Sequence, residues 1–228
     1  MKKIFIIHGW TYSTGAWDAL TLELRKNGFE PIMLRVPGLT EVSEKIWTLP
    51  EYVNWLSGKL NGESEIILLG HSNGGRIALA FAAESPAALS KLILIDSAGV
   101  FHNEPLLRLK RRVFGSIAKV GKKLTSSPLI RKIFYKMIGA RDYERAPKNM
   151  QKTMKNLISI DLTAQFSKIK VPTLILWGAK DKATPVSDAE LMHQEISSSK
   201  LIVISGAAHS PHITHPARVA EEIKNFLQ

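Results

Sequence analysis

Six short runs, apolar at almost every position, recur along the chain and are separated by longer stretches with helical spacing. Ile4–Ile7, Pro31–Val36, Ile66–Leu69, Leu92–Ile95, Thr173–Trp177 and Leu201–Ile204 are too short for helices and rich in β-branched residues. A strand apolar on both faces needs cover on both faces, which is the condition of a parallel strand between helices. The intervening helices are predicted at Ala16–Asn27, Glu51–Leu60, Gly74–Glu84, Asp188–Ile196 and Ala217–Leu227. In the last, Val219, Ile223 and Phe226–Leu227 form one stripe, with Glu221, Glu222 and Lys224 off it. Strand–helix–strand repetition implies right-handed crossovers and an α/β fold, a mostly parallel six-stranded sheet with helices on both faces.

One segment breaks the alternation. Residues 101–160 hold 15 Lys or Arg against Glu104, Asp142 and Glu144, a net charge of +12 in a chain whose total is +11. Leu106, Leu109, Val113, Ile117 and Val120 fall at helical spacing, as do Leu129, Ile130, Ile133, Phe134 and Met137, and a third helix is predicted from Pro147 to Ile158. The expected organisation is a core of residues 1–100 and 165–228 carrying a basic, all-helical cap at 101–164.

Composition removes several chemistries. With no cysteine there is no disulfide, thiolate metal site or cysteine nucleophile, and no metal or cofactor is expected. No apolar run is long enough to span a bilayer, and Ile4–Ile7 is too short for a secretory signal, so a soluble, cytoplasmic protein is expected.

The residues that carry chemistry begin at Gly70-His71-Ser72-Asn73-Gly74-Gly75, which closes the third strand and opens a helix. Gly-x-Ser-x-Gly between strand and helix is the context of a nucleophile elbow. The serine sits in a strained turn, and the positions two before and two after it must lack side chains for strand and helix to approach. Serine needs a base. His209 follows the last strand, on the rim where sites form in such sheets. The base needs an acceptor to fix its tautomer. Asp181, after the fifth strand, is favoured; Asp96, after the fourth, is the rival, with a turn cap as its other role. Arg76, one helical turn past the serine, is expected to face solvent or pair with an acidic neighbour, the alternative being a substrate carboxylate.

Ser72, Asp181 and His209 stand in the order nucleophile, acid, base, and the chain thereby resembles the α/β-hydrolase superfamily. His8-Gly9-Trp10 is similar to its oxyanion loop, Pro37-Gly38 to the turn after the next strand, Trp177-Gly178…Asp181…Pro185 to the acid loop and Gly206…His209 to the histidine loop. The resemblance implies an oxyanion held by the backbone N–H groups of Trp10 and Asn73, with His8, Gly9, Trp10 and His71 beside the substrate. It also implies hydrolysis of a small-molecule carboxylic ester of short to medium acyl chain by an acyl-enzyme route. A carbon–carbon bond hydrolase and a silent binding protein are the alternatives. Serine at the elbow argues against the aspartate-dependent dehalogenases and epoxide hydrolases of similar fold.

The same three-residue loop, His8-Gly9-Trp10, resembles that of the pimeloyl-carrier-protein methyl ester esterases, although His71 stands where that family has tryptophan. The basic cap is accordingly expected to be a solvated lid, a dock for an acidic carrier protein, or a contact with anionic lipid. Nucleic acid is not expected, since no recognition module accompanies the charge.

Overall fold

The computed structural model describes residues 1–101 and 146–228, and the six apolar runs pair in it as one parallel sheet. The strands are β1 (Lys2–Ile7), β2 (Phe29–Met33), β3 (Ile66–His71), β4 (Leu89–Ile95), β5 (Thr173–Gly178) and β6 (Ser199–Ile204), in spatial order β2-β1-β3-β4-β5-β6. The helices used below are α1 (Asp18–Lys26), α2 (Leu49–Lys59), α3 (Asn73–Ala83), α4 (Lys148–Ile158), α5 (Val186–Glu195), α6 (Pro211–Thr214) and α7 (Pro216–Leu227).

Period-two alternation divides the core. Ile4, Ile6, Ile67, Leu69, Ile93 and Ile95 face one side, against Leu20 and Leu24 of α1 and Val219 and Ile223 of α7. Phe5, Ile7, Leu68, Leu92 and Leu94 face the other, against Tyr52 and Leu56 of α2, Ile77 and Phe81 of α3 and Met192 of α5. Each such side chain fully withdrawn from water contributes about 1.5–3 kcal/mol, which fixes the register of every strand.

β2 differs from its predicted span of Pro31–Val36, starting and ending earlier. The Val36 carbonyl accepts from the N–H groups of Leu39, Thr40 and Glu41, so the chain has already left the sheet in a turn. Pro31 is tolerated because β2 is an edge strand paired only with β1.

Of the predicted cap, α4 is found where the third helix was expected, and its Met150 and Leu157 join the core beneath it. The two cap helices predicted over 106–120 and 129–138 lie outside the described residues. No helix among the described residues is long and apolar enough to cross a membrane.

The chain runs outward from β1 to β2, then returns to β3 on the other side of β1. That reversal opens a crevice at the carboxyl ends of β1 and β3, the place where an open α/β sheet binds its ligands.

Candidate active site

Ser72 caps α3 at φ 52°, ψ −118°, a region that L-residues seldom adopt. The turn is held by Ser72 N–H donating to the Ile95 carbonyl at 3.1 Å and by the Ser72 carbonyl accepting from Ala98 N–H at 2.9 Å. The flanking glycines are required sterically. A Cβ on Gly70 would stand 2.7 Å from the Gly74 carbonyl oxygen, and one on Gly74 would run into the Ile7 and His8 carbonyls.

The structure brings Ser72, His209 and Asp181 together from the ends of β3, β6 and β5. Ser72 Oγ lies 3.0 Å from His209 Nε2, and His209 Nδ1 lies 2.7 Å from Asp181 Oδ2. A carboxylate only accepts, so Nδ1 carries the proton and Nε2 presents a lone pair to the serine hydroxyl. The Asp181 side chain is wholly withdrawn from solvent. Burial works to raise its pKa, but hydrogen bonds from His209 and Thr184 outweigh burial and hold the carboxyl below its ordinary range. Its Oδ1 accepts from the N–H groups of Ala183 and Thr184 at 2.7 and 3.1 Å, and its Oδ2 from the Thr184 hydroxyl at 2.7 Å. Thr184 was not anticipated, although Asp-x-x-Thr in a loop is a turn signal of the Asx kind.

Asp96, the rival acid, is fully buried. Its Oδ1 accepts from Gly178 N–H at 2.8 Å, and its Oδ2 has no partner among the described residues. Burial pushes its pKa up to about 7, against the pull of the Gly178 N–H. It braces the start of the acid loop and makes no hydrogen bond to His209.

The residues expected to supply the oxyanion donors, Trp10 and Asn73, line the same cavity as Ser72 and His209. Trp10 borders the crevice, Asn73 opens α3, and the backbone N–H of neither donates to any group among the described residues. Trp10 lies between two cavities, of about 500 and 270 Å³, that both reach Ser72 and His209. The larger runs toward α4 and the smaller toward His71 and α6.

Three further histidines are held in place around the site. His8, expected against substrate, lines neither cavity; it is buried, with Nε2 2.7 Å from Thr40 Oγ1 and Nδ1 2.8 Å from the Gly9 carbonyl oxygen, and braces the loop that carries Trp10. His71 lines the smaller cavity, but its Nε2 donates to the His209 carbonyl at 2.8 Å. Burial holds His71 well below the ordinary histidine range, and therefore neutral. His212 stacks on Trp17 at 4.1 Å between centroids, and its burial lowers its pKa to about 3.

Arg76 does not face solvent, and among the described residues no acid forms an ion pair with it. It is 4% exposed, its Nη1 donates to the Ile160 carbonyl at 2.6 Å, and its Nε has no partner among the described residues. His71, Asp96 and His209 bring potential metal-binding atoms within 4.8 Å of one another, but both His209 nitrogens are engaged, by Ser72 and Asp181.

A parallel sheet with a serine elbow after its third strand and an imidazole after its last is the architecture of the α/β hydrolases, and the chain belongs to the Alpha/beta hydrolase family, whose sequence profile matches residues 4–222. Among its relatives, the pimeloyl-[acyl-carrier protein] methyl ester esterases of Wigglesworthia glossinidia brevipalpis and Neisseria meningitidis serogroup B are 25% and 26% identical. Those alignments cover 99% and 100% of this chain and 93% of each relative. A thermophilic esterase from Thermogutta terrifontis superposes with a TM-score of 0.73 at 25% identity, over 100% of this chain and 89% of that one.

Proposed function

We propose that the protein is a serine hydrolase of carboxylic esters. Ser72 attacks the ester carbonyl as His209 Nε2 accepts its proton, and Asp181 steadies the imidazolium. The oxyanion rests on the Trp10 and Asn73 amides. His209 returns the proton to the departing alcohol, and water repeats the sequence on the acyl-enzyme to free the acid. The observation that carries this reading is the continuous relay from Ser72 Oγ through His209 to Asp181, opening on a cavity beside two unpartnered amides. Fixed amides suit an oxyanion because they need not reorganise, and losing one such donor typically costs about 10²–10³ in rate.

Turnover of p-nitrophenyl acetate and butyrate by wild type and Ser72→Ala tests it. A loss of about 10⁴–10⁶ is expected, and equal rates would remove the serine from the mechanism.

The esterase relatives favour a more specific reading, in which the ester is presented by an acidic carrier protein at the basic segment of residues 101–160. Carrier-linked turnover should then fall between low and moderate salt while that of a free ester does not. A salt-independent rate on the carrier-linked ester would leave the segment as a solvated lid.

A further inference from the structure

We infer that Arg76 reads a carboxylate on the substrate, so that the acyl part of the ester carries a second, ionised carboxyl group; this rests on the ester-hydrolase reading above. An arginine cannot shed its proton in a protein, and a buried charge ordinarily has an opposite charge beside it. Arg76 is buried with no opposite charge in contact with it among the described residues. No carboxylate among the described residues forms an ion pair with it, and its single hydrogen bond runs from Nη1 to the Ile160 carbonyl. That bond occupies Nη1, and the buried Nε has no hydrogen-bond partner among the described residues, which leaves the Nε–Nη2 edge as the one a ligand would meet. Two parallel N–H donors at that spacing match the two oxygens of a carboxylate.

The described residues around it supply no other purpose for the charge. Arg76 is the sole charged residue of α3, a helix buried on nearly every side, where an apolar residue would pack without desolvation cost. Asp161 contributes a favourable field, but its Oδ1 accepts from the Thr163 N–H and hydroxyl at 3.1 and 2.6 Å. Asp188, on the same cavity wall, is itself partnered, while Lys155 adds positive charge there.

Position defines the ligand further. Arg76 lines the larger cavity together with Ser72 and His209. Four residues along one helix separate Ser72 from Arg76 by about 6 Å of axis. An ester held with its carbonyl at Ser72 and its far carboxylate at Arg76 therefore has a short chain of methylenes between them, as in half-esters of succinic, glutaric or adipic acid.

The test is calorimetric binding to the full-length Ser72→Ala protein, comparing monomethyl glutarate with dimethyl glutarate. The charged half-ester should bind at least about 10-fold tighter, the worth of one bidentate charged contact. Adding Arg76→Met should abolish that preference, and Arg76→Lys should restore it in part. Equal binding of the two esters by Ser72→Ala would overturn the proposal, as would an Arg76→Met variant that weakens both equally. Should Arg76→Met fail to fold by circular dichroism, the comparison within Ser72→Ala still decides. Wild-type turnover separates the two readings: preferential binding without hydrolysis would fail the ester-hydrolase reading and leave the carboxylate site standing.

Discussion

The imidazole of His71 donates from Nε2 to the main-chain carbonyl of His209 at 2.8 Å, tying the serine elbow to the histidine loop behind their reacting atoms. The bonded residues are 138 positions apart in sequence, so this contact joins two loops that meet only through the fold.

His71→Leu removes the donor and leaves a partly buried carbonyl without its partner, at about 1 kcal/mol. Ester kcat is expected to fall about 10- to 100-fold, as for a displacement near 1 Å, with KM less affected. His71→Gln should recover part of the loss. The pH profile should keep its shape, because burial keeps His71 neutral.

Asp181 and Asp96 separate by function in a pair of isosteric variants. Asp181→Asn disrupts the partnership that holds the His209 tautomer, and kcat should fall by about 10⁴. Asp96→Asn keeps an acceptor for the Gly178 N–H, and the change should stay within about 10-fold. The reverse ranking would transfer the acid role to Asp96.

Asp96 also makes stability depend on pH. Burial raises its folded pKa from 3.8 to about 7, so the folded state holds a proton that the unfolded chain has lost. The stabilisation is fully present below the unfolded pKa and is lost as pH rises through about 7. Thermal melts of Asp96→Asn against wild type should show the variant gaining relative stability from about pH 5 to about pH 8. A constant difference across that window would mean that Asp96 is ionised throughout.

Much of this site was legible because its signals are local and steric. Gly70-x-Ser72-x-Gly74 states its own backbone geometry, and the apolar runs from Ile4 to Ile204 state a sheet covered on both faces. His209 and Asp181 followed from their places after consecutive strands. What escaped depends on contacts distant in sequence. Asp96 meets Gly178 and His8 meets Thr40 only once the strand order is known. His212 acquires its role from Trp17, which the fold lays beneath it. Arg76 was the readable miss. The eleven residues of α3 contain no polar stripe, so a charged residue there had no solvent face to occupy.

The central claim is that Ser72 Oγ is the atom that becomes acylated. Reaction with a fluorophosphonate, followed by peptide mass mapping, tests it most directly. One adduct per chain on the peptide containing Ser72, formed in step with the loss of esterase turnover and slowed severely in His209→Ala, is the predicted result. Full esterase activity in a chain quantitatively modified at Ser72, or inactivation with the adduct on another residue, would contradict it.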